Sequence, residues 1–295
     1  MPLLDIVLGY DCNAACTYCT ITSEMRRRSL TTEAVAREID RAAAIGFRDI
    51  AFTGGEPTIR KDLPVLVRYA KRRGFTSIKV SSNGLRYSNA AYLDHLVEAG
   101  VNQFHVSAHD VGQLAYEKTT RLPGAFESFE RGVSNLVERR LAPTLDLILK
   151  SDTVPRLEAW IASFVEVGVR SFQLWLVSLT DGNAGNVEQL PPISEVVPHL
   201  IRAFDAAREG GYEVVTLHTP RCFLPGYEDH VRHPGAGGVR VVTPDEVFDL
   251  RDSRLTGGVK AEGCADCVYD ESCPGLRRDY VERFGDGELK PVRPR

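Results

Sequence analysis

Cys12, Cys16 and Cys19 stand in the spacing C-x3-C-x2-C near the start of the chain. Three thiols make no set of disulfides and are one short of a closed tetrahedral metal site. Cysteine thiolates also hold iron–sulfur clusters. A four-iron cluster on three thiolates keeps one iron open, and the amine and carboxylate of a small molecule can chelate it. The short spacing lets one tight loop wrap three corners of a cube. Tyr18, just before Cys19, sets a ring beside whatever binds there. A zinc site completed by a distant ligand and buried structural cysteines are the alternative readings of these three residues.

The remaining four of the seven cysteines are Cys222, Cys264, Cys267 and Cys273. Four thiolates can close a second cluster or a structural zinc. The last three form C-x2-C-x5-C, and Cys222 joins them by elimination. Other groups with binding chemistry follow apolar strands. Gly54 and Gly55 let the backbone approach a ligand, and the Glu56 carboxylate can accept from an ammonium. Ser82 and Asn83 offer hydroxyl and amide groups suited to ribose and carboxylate. His109 and Asp110 face the same mouth, with solvated turn positions as the equal alternative, and Lys150 ends a strand. Trp175 reads as core, and the basic run at residues 26–28 as a solvated loop or helix start.

These residues need a scaffold that gathers them. Short β-rich runs at 3–9, 49–54, 77–82, 103–109, 145–150 and 171–178 alternate with amphipathic helical stretches. The stretch from Thr31 has threonine caps, an early Glu33 and a stopping Gly46; another starts at Ser88 or Asn89 and stops at Gly100. Six β-then-α units predict an α/β fold with a parallel barrel or doubly wound sheet. In either, active groups collect at the carboxyl ends of the strands. A strand at 213–219, a Gly/Pro-rich loop at 233–238 and a hairpin turning at residues 243–246 follow, which sets a soft boundary near 211. The tail, 286–295, is expected to be loosely held.

The cysteine spacing with an aromatic before its last member resembles the radical S-adenosylmethionine (SAM) superfamily, over roughly residues 3–210. The resemblance implies a partial (β/α)6 TIM-like barrel in residues 1–210. It implies a [4Fe–4S] cluster on Cys12, Cys16 and Cys19 whose open iron chelates SAM. The reduced cluster then releases a 5′-deoxyadenosyl radical that abstracts hydrogen from substrate. By the same resemblance Tyr18, Gly54, Gly55, Glu56, Ser82, Asn83 and Ser107 hold SAM. Arg121 pairs with its carboxylate or is solvated, and His109 and Lys150 are candidate substrate or cofactor contacts. Residues 211–285 resemble the SPASM extension in its shortened twitch form, with Arg277 where the signature has its last cysteine. That implies one auxiliary [4Fe–4S] cluster on Cys222, Cys264, Cys267 and Cys273, which passes electrons. A structural zinc ribbon is the alternative there.

The expected partners are a peptide or small-molecule substrate and a low-potential electron donor of the flavodoxin or ferredoxin type. The net charge of −4 and the lack of a basic stripe argue against nucleic acid. No signal peptide or apolar span is evident, so a cytoplasmic protein without a membrane partner is expected. With Cys12 so near the start, no leader-binding domain is expected to precede the barrel. With every cysteine assigned to iron, no thiol remains to quench a substrate radical, which tilts the outcome from epimerisation towards oxidation or cross-linking. The rival classes are a non-catalytic iron–sulfur carrier or scaffold and a zinc-stabilised interaction module.

Overall fold

The structure is a computed structural model that describes residues 2–110, 112–233, 237–252 and 258–293. Seven parallel strands form its spine: β1 (Leu3–Val7), β2 (Asp49–Thr53), β3 (Ser77–Ser82), β4 (Gln103–Ala108), β5 (Thr144–Leu149), β6 (Ser171–Leu176) and β7 (Glu213–Leu217). They lie side by side in chain order. Helices α1 (Thr32–Ala44), α2 (Leu63–Arg72), α3 (Ala90–Ala99), α4 (Gln113–Thr120), α5 (Ala125–Glu138), α6 (Leu157–Val167) and α7 (Ile193–Gly210) fill the crossovers. This is the expected partial α/β barrel, extended by a seventh strand.

The core sits between strands and helices. Ile6, Phe52, Val80 and Phe104 stand side by side in register, and Val106, Leu145, Phe172 and Val214 form a second such row. All are 0–1% exposed. Strands β4, β5 and β6 alternate, with Ser107, Asp146 and Trp175 on the less buried face. One face therefore packs on helices and the other is left for polar work.

The expected caps are present. Thr31 Oγ1 accepts from Ala34 N at 3.2 Å, and Asn89 Oδ1 from Tyr92 N at 3.1 Å. The short α4 is not apparent in the sequence pattern, because its buried side are Tyr116, Thr119 and Thr120 rather than an aliphatic stripe.

The boundary near 211 falls inside the sheet, since β7 pairs with β6 from Ser171↔Glu213 onwards. Strand β8 (Val231–Arg232) continues that edge. The anticipated hairpin, β9 (Val239–Val242) and β10 (Val247–Asp249), returns to the opposite edge, where β9 runs parallel to β1. Beyond it lie a two-stranded pair, β11 (Gly258–Val259) and β12 (Leu276–Arg277), and α8 (Arg278–Phe284). The tail is held as far as it is described: Val268 N donates to the Val292 carbonyl at 2.8 Å. Residues 234–236 of the Gly/Pro-rich loop and 294–295 of the tail lie outside the described residues. Among the described residues no helix is long and apolar enough to cross a membrane.

Candidate active site

The chain leaves β1 at its carboxyl end and enters the loop that carries the first three cysteines. Neighbouring elements fix this loop through its backbone. Ala15 N donates to Thr120 O at 3.1 Å and Thr17 N to Thr119 O at 2.9 Å, so the end of α4 supplies acceptors. Arg26 donates to the carbonyls of Cys12 (3.1 Å) and Ala14 (2.8 Å). Arg28 pairs with Asp245 in the β9–β10 turn at 2.6 Å, and Tyr10 donates to the same carboxylate at 2.9 Å. Arg26 therefore clamps the cysteine loop, while Arg27 and Arg28 are exposed, as the solvated reading of the basic run has it.

Gly54 and Gly55 serve a close approach, but of backbone to backbone. A Cβ on Gly54 would lie 2.3 Å from Gly9 O, and one on Gly55 2.2 Å from Asp11 O. Gly55 N and Glu56 N donate to those same carbonyls. Glu56 is 2% exposed. Its carboxylate turns into the protein, where Oε1 accepts from Ser82 Oγ (2.8 Å), Thr58 N (2.9 Å) and Thr58 Oγ1 (2.5 Å), and Oε2 from Asn83 N (2.7 Å). Burial pushes this carboxyl up and the surrounding donors pull it back. It is not among the residues of the cavity wall, whereas Gly54 and Gly55 are.

A cavity of about 340 Å³ opens at the strand ends. Cys12, Cys16 and Cys19 line it together, with Tyr18 beside them. Ser82, Asn83 and Ser107 join from β3 and β4, where the sequence places them. Asn83 Nδ2 also donates to Asn13 Oδ1 at 2.8 Å, which ties β3 to the cysteine loop. His109 lines the cavity, hydrogen-bonded through Nδ1 to the Tyr18 hydroxyl. Burial, with help from the Lys150 ammonium, pushes its ring down to about 4, so it is neutral at pH 7.

Two expected contacts lie elsewhere. Lys150 is 2% exposed and sits outside the cavity wall, with Nζ 3.1 Å from Asp152 Oδ1 and 3.7 Å from Asp110 Oδ2. Asp110 faces these cations, Arg156 at 2.8 Å included. Arg121 caps α4 in the left-handed region (φ 53°) and is exposed.

The wall formed by β5, β6 and β7 holds groups that were not among the expected ligand contacts. Trp175, expected in the core, lines the cavity, and its Nε1 donates to Asp146 Oδ1 at 3.2 Å. Ile148, Ser178 and His218 complete this wall. Among the described lining residues none is Lys or Arg.

The four later cysteines surround one separate small cavity, with Tyr269 and Leu289. The residues of both sites fit iron–sulfur clusters on two counts. Backbone N–H groups point at sulfur: Ala14 N lies 3.4 Å from Cys12 Sγ, Gly275 N 3.4 Å from Cys273 Sγ and Val292 N 3.3 Å from Cys267 Sγ. Burial, then the neighbouring cysteines, push the Cys16 thiol up to about 12. Burial likewise raises Cys222 and Cys273, with the other C-terminal cysteines adding to it. A bound cation removes that penalty by replacing the protons.

A parallel α/β barrel with a three-cysteine loop at its carboxyl face defines a class of cluster-dependent enzyme folds. The Radical SAM superfamily profile matches residues 6–154, about half of the chain, and the chain belongs to that superfamily. Membership implies a four-iron cluster and SAM. The chain is similar to a probable GTP 3′,8-cyclase of Methanopyrus kandleri, 32% identical over 165 residues, covering 55% of this chain and 52% of that protein. It is also similar to the PqqA peptide cyclase of Granulibacter bethesdensis, 28% identical over 218 residues, covering 72% of this chain and 58% of that protein. The chain thus spans about half the length of the curated relatives it matches. Among solved structures, anSMEcpe with bound AdoMet and the Kp18Cys peptide superposes with a TM-score of 0.69 at 18% identity, covering 99% of this chain and 93% of that one. Streptococcus suis SuiB bound to precursor peptide SuiA gives 0.67 at 10% identity, covering 84% and 59%. At such identities the likeness is one of fold.

Proposed function

We propose that this radical SAM enzyme acts on a peptide, with two four-iron clusters. Cys12, Cys16 and Cys19 hold the SAM-binding cluster, and Cys222, Cys264, Cys267 and Cys273 hold an auxiliary one. When bound, these groups supply electron transfer and a 5′-deoxyadenosyl radical that takes a hydrogen atom from an unactivated C–H. The chain's part is to orient and enclose. The Gly54–Gly55 backbone, Tyr18, Ser82, Asn83 and Ser107 hold SAM. Glu56 keeps Ser82 and Asn83 in place from behind. His109, neutral, sets the Tyr18 ring. A low-potential flavodoxin- or ferredoxin-type partner delivers electrons.

One observation carries the substrate reading. The cavity runs from the cysteine loop to an aromatic wall, and its described lining has no cationic side chain. A nucleoside triphosphate brings several negative charges, and burying them without Lys or Arg partners is strongly unfavourable. A peptide segment brings neutral amides and side chains. The curated relatives include both a GTP cyclase and a peptide cyclase, and this wall favours the second kind of substrate. With all seven cysteines assigned as ligands, no thiol is left to return a hydrogen atom, which favours oxidation or bond formation over epimerisation. An electron carrier has no need of a cavity joined to the cysteine loop.

The test is anaerobic incubation of reconstituted protein with dithionite and SAM. Wild type is expected to release 5′-deoxyadenosine and the Cys12/Cys16/Cys19→Ala variant none. Cleavage by the triple variant at the wild-type rate would sink the reading.

A further inference from the structure

We propose that the end of the cavity formed by β6 and β7 is a carbonyl-binding subsite for peptide, in which His218 Nε2–H donates to a main-chain oxygen of the substrate and Trp175 packs the adjoining side chain. This rests on the peptide reading above and adds the residues that would read the chain.

His218 follows β7 with φ 70°, in the left-handed region that a residue with a Cβ rarely adopts. It is among the residues that line the cavity. The ring is held there by Arg277, whose Nη1 lies 3.1 Å from His218 Nδ1. A guanidinium has donors and no acceptor, so Nδ1 is the acceptor and the ring proton is on Nε2. The contact orients the ring and favours the Nε2–H tautomer over the one that would turn an Nδ1–H towards the Leu176 carbonyl. Burial first, then the Arg277 charge, push the ring down to about 3, opposed by Asp279 and the Leu176 carbonyl, with His233 adding to the downward push. At pH 7 the ring is a neutral donor.

Arg277 is itself over-determined. It is 4% exposed. Asp279 accepts from its Nε at 2.9 Å and from Nη2 at 2.7 Å. Nη1 and Nη2 also donate to the carbonyls of Leu176 (2.7 Å) and Val177 (2.6 Å) at the end of β6. Trp175 stands edge-on to His218, with centroids 5.4 Å apart and planes at 73°. Its N–H is committed to Asp146, so the indole offers the cavity an apolar surface. The result is a wall with neutral donors in His218 and Ser178, one flat aromatic and no cationic side chain among the described lining residues. That chemistry suits an amide carbonyl with a side chain beside it. Arg277 stands four residues after Cys273, so it joins the C-terminal region to the substrate wall, with Asp279 accepting from Leu179 N at 2.8 Å beside it.

The test uses SAM-loaded holoenzyme and a pool of random heptapeptides capped by N-acetyl and C-amide groups, with retained peptide measured by mass spectrometry. His218→Phe is expected to retain roughly 10-fold less than wild type, the loss of about one hydrogen bond. His218→Gln, which keeps a donor, is expected to recover most of it. Unchanged iron content shows that the variants are folded. Nitrogen-15 imidazole spectra at pH 7 give a readout that needs no substrate. They are expected to show the Nε2–H tautomer in wild type and its loss in Arg277→Met. Equal retention by His218→Phe and wild type, or a charged or Nδ1–H ring in wild type, would overturn the subsite. Wild type that retains no peptide while keeping the predicted tautomer would overturn the peptide reading, and the subsite with it.

Discussion

Ser82 Oγ lies 2.8 Å from Glu56 Oε1 and donates to it, joining the ends of β3 and β2 in one buried network. Two motifs that read as separate ligand contacts are therefore one brace. Glu56→Gln replaces an acceptor of four donors with an amide that must turn an NH2 towards one of them. Hydrogen bonds to a charged group are each worth about 1.5–3 kcal/mol. The variant is expected to lose about 2–3 kcal/mol in urea unfolding, and SAM affinity should fall as Ser82 and Asn83 shift. Unaltered stability and SAM affinity would show that the network is dispensable.

Arg26 should matter to cluster loading more than to folding. It bonds two carbonyls of the cysteine loop, and its charge pulls the Cys12 and Cys16 thiols down against the burial that raises them. In Arg26→Met, reconstitution at the N-terminal site is expected to fall at least several-fold while the C-terminal site fills normally. Iron analysis in the background of the four C-terminal cysteines changed to alanine measures it. Arg27→Met, which removes a charge without those carbonyl bonds, is the control expected to load as wild type does.

The pH dependence of stability follows from His109. Its ring is pushed from the ordinary 6.5 down to about 4, so the unfolded chain binds a proton that the folded chain refuses between these values. Its contribution is complete above pH 6.5 and is lost as pH falls towards 4. Wild type should lose stability from pH 7 to 5, and His109→Gln should lose less over the same interval, as read from urea midpoints. The His218 ring acts in the same direction, so the slope should shrink without vanishing.

Much of the scaffold was legible because period-2 and period-3.6 patterns were strong and their caps were local. The three-cysteine loop and the placement of Ser82, Asn83 and Ser107 at strand ends were legible for the same reason. What escaped depends on distant partners. The Glu56 carboxylate faces inward because donors from Thr58 and Asn83 surround it, which spacing does not encode. Lys150 is claimed by Asp152 and Asp110. Arg26 looked like a solvated charge until its carbonyl partners were placed. Trp175 carried a readable signal: it continues the alternation of Ser171 and Gln173, the polar face of β6. Arg277 and His218 lie 59 residues apart, and no local pattern joins them.

In the proposed assignment two cysteine sets hold two clusters and only the first has an open iron. Anaerobic reconstitution of wild type, of the Cys12/Cys16/Cys19→Ala variant and of the Cys222/Cys264/Cys267/Cys273→Ala variant, followed by iron counting and electron paramagnetic resonance of the reduced proteins, tests it directly. About eight irons in wild type and about four in each variant are expected for two four-iron sites. SAM should alter the spectrum of wild type and of the variant lacking the C-terminal cysteines, and leave that of the variant lacking the N-terminal cysteines unchanged. Zinc in place of iron at the C-terminal site, or a SAM-sensitive spectrum without Cys12, Cys16 and Cys19, would contradict the account.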